Sequence, residues 1–204
     1  MPAELGTILR IVLMLLACLA VVPVQPASAL PSGGPESPRC NARVASQLED
    51  RVREFQKHPP GEADWDARFD ALRQLVAEET QEANVLESAC AQDRDLTPIE
   101  ADLRASEARA YMLQSDVTLL KYQKSCPDAA PAVASGFLAA AWRALALATP
   151  DEGPASQSVT ATSSEVESRA ALLKLALPPV RDTSNYWLTT TQKTGEEAAA
   201  RCPG

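Results

Sequence analysis

Histidine is almost missing from this 204-residue sequence: His58 is the single one. A paired-histidine zinc helix is therefore excluded, and any Ser-His-Asp or Cys-His site would have to be built on His58. No G-x-S-x-G elbow accompanies it, and two prolines follow it directly, which reads as an exposed loop position. The five cysteines include no C-x-x-C pair, so zinc ligation has no support from spacing. Only eight glycines occur, and Gly33-Gly34 has no strand before it, which excludes a phosphate loop. Asp93-x-Asp95-x-Thr97 opens like a calcium loop but has Pro98 at its sixth position and Arg104 at its twelfth. Asn41, Asn84 and Asn185 all fail as glycosylation sequons. Clusters of Lys and Arg are missing too, which argues against nucleic acid and anionic membrane surfaces as partners. We expect no catalytic residue, no metal and no cofactor.

What is present begins with an export signal. Arg10 precedes an apolar run from Ile11 to Val22, and a proline-broken stretch ends in Ala27-Ser28-Ala29. Cleavage after Ala29 is expected, with residues 1–29 as the signal peptide, 30–39 as a flexible leader and 40–204 as a single helical domain. Leu15-Leu16-Ala17-Cys18 offers the alternative of a lipoprotein anchored at Cys18. Against it stand the short apolar run it would leave and the apolar Leu19-Ala20-Val21-Val22 that would follow. No second long apolar run suggests a membrane span in the mature chain. Cys40, Cys90, Cys126 and Cys202 remain, an even number that suggests two disulfides in an oxidising compartment.

Apolar spacing predicts helices throughout and no strand. Val44, Leu48, Val52 and Phe55 mark one face over 41–57. Trp65, Phe69, Leu72, Val76, Ala83, Leu86 and Cys90 keep a 3.5-residue seam over 64–90, interrupted at Glu79 and Thr80. Thr97, Pro98 and Glu100 form a capping-box start for a third helix, whose seam runs through Ile99, Leu103, Ala110, Leu113, Val117 and Leu120. Residues 64–125 thus read as a long antiparallel hairpin. The alanine-rich helix over 129–148 is apolar around most of its circumference and should be central. A polar connection over 149–162, a fifth helix over 164–177 stopped by Pro178-Pro179, and a sixth over 184–201 complete the reading. The expected fold class is all-α, a disulfide-stabilised up-down bundle of five or six helices with a long central helical hairpin. In such a bundle Cys40 and Cys90 share one end, leaving Cys126 to pair with Cys202. That second pairing needs an irregular path for the last helix.

Charge is unevenly placed. Residues 61–109 hold 13 acids and 5 bases, so this stretch alone carries the net charge of -8. An acidic helical face containing Glu78, Glu79 and Glu82 is expected to meet a basic protein partner. Trp65 and Trp142 lie on apolar faces and read as core, whereas Tyr186 and Trp187 read as an exposed pair and further partner-binding candidates. The expected function is an exported, non-enzymatic interaction protein of the immunity, inhibitor or secretion-apparatus type.

Two alternatives remain open. Leu188-Thr189-Thr190-Thr191-Gln192 reads L-T-x-x-Q, and Leu96-Thr97-Pro98-Ile99-Glu100 repeats it with Glu in place of Gln. Both segments resemble the signature of the Spy-type periplasmic chaperones, which implies a helical cradle holding unfolded clients. The other alternative is a helical enzyme that uses paired carboxylates.

Overall fold

The computed structural model describes residues 42–58, 61–90, 96–149 and 155–202. These residues are all-helical, with no strand among them. Six helices follow one another: α1 (Ala42–Lys57), α2 (Trp65–Ala89), α3 (Leu96–Ser125), α4 (Ala130–Ala148), α5 (Gln157–Leu173) and α6 (Asn185–Ala199). Short 3-10 turns at Glu62–Asp64 and Val180–Asp182 precede α2 and α6. Cys40 and the segments expected to form the Asp93-x-Asp95 turn, the leader and the signal peptide fall outside the described residues.

α3 is the hub. It packs against α1, α2, α4 and α5, whereas the alanine-rich α4, expected to be central, packs against α3, α5 and α6. The reason lies in α3's sequence. The expected seam supplies Leu103 and Ala110 to a cluster with Leu48, Val52, Leu75 and Leu86 of α1 and α2. A second seam, Ala101, Ala105, Ala108 and Met112, also at spacings of four and three, joins a separate cluster with Leu138, Leu145, Val159 and Val166 of α4 and α5. Apolar residues on two faces cancel as a stripe, so the sequence pattern disclosed only one. α4 is long and apolar enough to cross a membrane by length and composition, but its apolar residues are packed inside this second cluster.

Local chemistry moves several boundaries. α1 packs the expected Leu48, Val52 and Phe55 inward, but Val44 is 41% exposed and Ala45 is buried in its stead. α3 already includes Leu96, which puts Thr97 inside the first turn instead of at its cap. α5 starts at Gln157, inside the stretch read as a polar connection. Ser156 accepts from the backbone N–H of Val159, and the hydroxyls of Thr160, Thr162 and Ser163 donate to carbonyls one turn back. It also ends early, before the prolines. Lys174 adopts a left-handed conformation (φ 56°), and the N–H of Leu175 donates to Ala170 O at 2.9 Å, closing a Schellman-type end.

The strict up-down order fails after α5. Ser156 and Arg169 of α5 contact Asp102 and Asp116 of α3 in the same sequence direction, so α5 runs parallel to α3. The segment 174–184 then returns along α4: Trp142 Nε1 donates to Pro178 O at 2.9 Å, and Arg143 donates to Thr183 O at 3.2 Å. α6 therefore starts beside the C-terminal half of α4 and descends to its N-terminal end, pointing the same way as α5. This is the irregular path that lets Cys202 meet Cys126, with Cα atoms 5.7 Å apart. Cys90 is buried and also disulfide-bonded.

Close approach of α6 to α4 depends on glycine. A Cβ on Gly195 would sit 2.9 Å from Ala132 O and 3.2 Å from Val133 Cα, both backbone atoms that cannot swing aside. In a free helix Gly→Ala is stabilising. Here Gly195→Ala should cost about 1–3 kcal/mol through overpacking, read as a lower thermal midpoint under non-reducing conditions; an unchanged or raised midpoint would refute the tight crossing.

Candidate functional site

Where α2 and α3 meet, antiparallel contacts run from Lys121–Asp66 at one end to Arg104–Asn84 at the other. Between them lies a polar seam. Arg104, 2% exposed, donates to Glu107 Oε2 at 3.1 Å and to Asn84 Oδ1 at 2.7 Å, and reaches Glu87 Oε2 at 3.5 Å. Thr80 Oγ1 lies 2.6 Å from Glu107 Oε1 and 2.9 Å from Val76 O. A buried guanidinium is tolerated when its partners are fixed and close, and these come from both helices. Only the Nε of Arg104 has no hydrogen-bond partner.

Glu79 belongs to this interior and not to the acidic surface. It is fully buried, and neither carboxyl oxygen has a well-formed hydrogen bond. Desolvation pushes its pKa up to about 8; nearby Ser106 opposes this and the charges of Glu107 and Glu49 reinforce it. Its place in the seam register, between Val76 and Ala83, carries it inward despite its polarity. The expected Glu78-Glu79-Glu82 face is thus split. Glu78 is ion-paired with Arg51 of α1 and accepts from Gln74 at 2.9 Å, and these hydrogen bonds, Arg51's first, lower its pKa. Glu82 is half-buried, which raises its pKa by desolvation.

Tyr186 and Trp187 separate as well. Tyr186 is 82% exposed, but Trp187 packs against the α3–α4–α5 cluster, because Ser184 caps α6 and sets consecutive residues on different faces. Both stand on α6, which packs on α4 and away from α2. Trp142 is core, and Trp65 is half-buried. His58 is exposed, with Nδ1 3.1 Å from Glu54. Among the described residues no group of three His, Cys, Asp or Glu could hold a metal ion.

Beside the seam an open groove of about 730 Å³ runs along α2. Phe69, Val76 and Val85 of α2 form one wall, and Tyr111 of α3 and Phe137 of α4 the other. Phe69 and Phe137 meet edge to face, 5.4 Å between centroids. Burial, with the charges of Glu107 and Glu79, pushes the Tyr111 hydroxyl up to about 12, so it stays protonated. Thr80 and Asn84 line the groove while their side chains hold Glu107 and Arg104. Gln114 lines it too and is 2% exposed. The arrangement offers apolar contact with a few fixed polar groups, the composition of a binding surface. Sequence reasoning passed over Arg104, Glu107 and Gln114. Their signal was polar residues at seam register, since Glu107, Gln114 and the buried Val117 recur at steps of seven and three.

Glu79 makes stability depend on pH. A carboxyl titrating near 8 when folded and near 4.5 when unfolded stabilises fully below pH 4.5 and loses that contribution as pH rises towards 8. At pH 7 the loss is about 3 kcal/mol. Glu79→Gln should raise the denaturant-derived stability at pH 7 by about 2–3 kcal/mol and flatten the decline seen in the parent between pH 5 and 8; equal pH profiles for the two proteins would refute the assignment.

No family model, curated protein or solved structure matches the chain.

Proposed function

We propose that the chain is an exported, non-enzymatic interaction protein that presents α2 to a basic protein partner. The observation that carries this reading is the coincidence of charge and groove on one helix. α2 holds six acids against two bases. With Glu79 turned inward, Asp66, Asp70 and Glu87 stay 82%, 65% and 63% exposed by side chain, each ion-paired within the chain, on the helix that lines an open apolar groove. Complementary charge of this kind steers encounter and sets register. The scaffold is a helical bundle in which the α2–α3 hairpin carries the binding face and the disulfides pin the ends. Export is supported by the Arg10, apolar and Ala27-Ser28-Ala29 series and by the disulfides themselves, which persist in oxidising compartments. A holding chaperone of the Spy type is the second reading, favoured by the apolar lining of the groove, which would accept many unfolded segments.

Affinity capture from the extracytoplasmic fraction should yield a defined basic partner. Reversal of Glu78 and Glu82 to Lys should slow its association severalfold at low salt and weaken the salt dependence. Helical content should hold, because exposed pairs such as Arg51–Glu78 contribute under about 1 kcal/mol. Unaltered association would leave the acids as a solvated face, and aggregation suppression across unrelated clients would favour the chaperone.

Export has its own measurement. The intact mass of protein recovered outside the cytoplasm should correspond to a start at Leu30; an acylated Cys18 start would establish the lipoprotein form instead.

A further inference from the structure

Gln114 is the buried polar side chain on the groove that the protein leaves unused. Its carboxamide makes no hydrogen bond with the described residues, and its Oε1 is buried. Thr80 is engaged with Glu107, Asn84 with Arg104, and Arg73 with Asp70 at 3.1 Å, while Gln81, also on the lining, is exposed to water. A buried amide without partners is costly, and a primary amide presents one acceptor and two donors side by side. Its natural complement is another amide, and the peptide group supplies one at every residue.

Charge narrows the occupant further. No carboxylate lines the groove and the Arg73 guanidinium on its lining is paired with Asp70, so the part that enters it is uncharged. Exposed acids of α2 stand outside that lining, so the flanks of the same occupant are basic. The volume of about 730 Å³ lies within the range of ligand sites. We infer that the groove between α2, α3 and α4 binds an uncharged apolar segment of a basic polypeptide, with the Gln114 amide paired to one of its main-chain peptide groups. This rests on the reading of α2 as the partner-facing element, and names what that element grips.

The probe is a fluorescein-labelled peptide with an apolar centre of Leu, Val and Ala between lysine pairs, titrated by anisotropy against the full disulfide-bonded chain. Gln114→Leu should bind it roughly fivefold more weakly, the loss of one hydrogen-bonded pairing, while melting no lower than the parent, since a stranded amide has been removed. A peptide methylated at its central nitrogens should lose a similar factor against the parent and little more against Gln114→Leu. Ala77→Trp, at an exposed groove position, should block binding without touching the core, and keeps the test decisive if Gln114→Leu folds poorly. Absence of peptide binding, or equal binding by parent and both variants, overturns the inference. If the captured partner still responds to the Glu reversals in that case, the interaction reading stands and the groove is not its grip. If the reversals are silent, that reading fails whatever the peptide does.

Discussion

A helix enclosed by four others has to leave few polar groups stranded, and α3 carries Arg104, Ser106, Glu107, Ser115 and Thr118 into the interior. The rest of the architecture follows from meeting that demand. Arg104 and Glu107 draw Asn84 and Thr80 from α2, and Ser115 donates to Ala134 O of α4 at 2.9 Å. These bonds fix the register of both neighbours, because a shift by one residue would leave a guanidinium or a carboxylate buried without a partner. The two apolar clusters supply cohesion on either side, and the polar seam decides which alignment the cohesion serves.

The same seam shapes the groove. Thr80 and Asn84 turn their hydrogen-bonding capacity inward, so α2 offers an outer surface whose polar residues are already committed. Gln114 and Glu79 both bury side-chain oxygens without a partner, and they differ in kind. Glu79 is fully buried away from the groove lining, whereas Gln114, itself 2% exposed, is part of that lining. Burial without partners opposes stability at both positions.

At the other end of the molecule the constraint is covalent. α6 has few buried residues of its own, Gly195 and Ala198, and is held by close backbone approach to α4 and by the Cys126–Cys202 bridge. The bridge closes a span of 76 residues. In the chain-entropy account such a loop restricts the unfolded state by about 4 kcal/mol, a contribution suited to a terminal helix with little core to bury.

Periodicity and composition by themselves determined the helical class, the near extents of α1, α2 and α4, the core role of Trp142 and the uneven charge, because each depends on residues close in sequence. They disclosed only one side of the hub. α3 has two apolar seams, and a search for one stripe registers one. They also placed Glu79 on the surface, because an acid is ordinarily solvated, and its inward position follows from the seam that flanks it. The early start of α5 rests on Ser156 as a cap and on hydroxyls folded back onto carbonyls, which low helix propensity concealed. Only the tertiary structure decided the parallel course of α5 and α6, the split of Glu78 from Glu79 and of Tyr186 from Trp187, and the place of the buried Gln114 on the lining of a groove. Each of these depends on which helix lies alongside, and that is set by contacts between residues far apart in the chain.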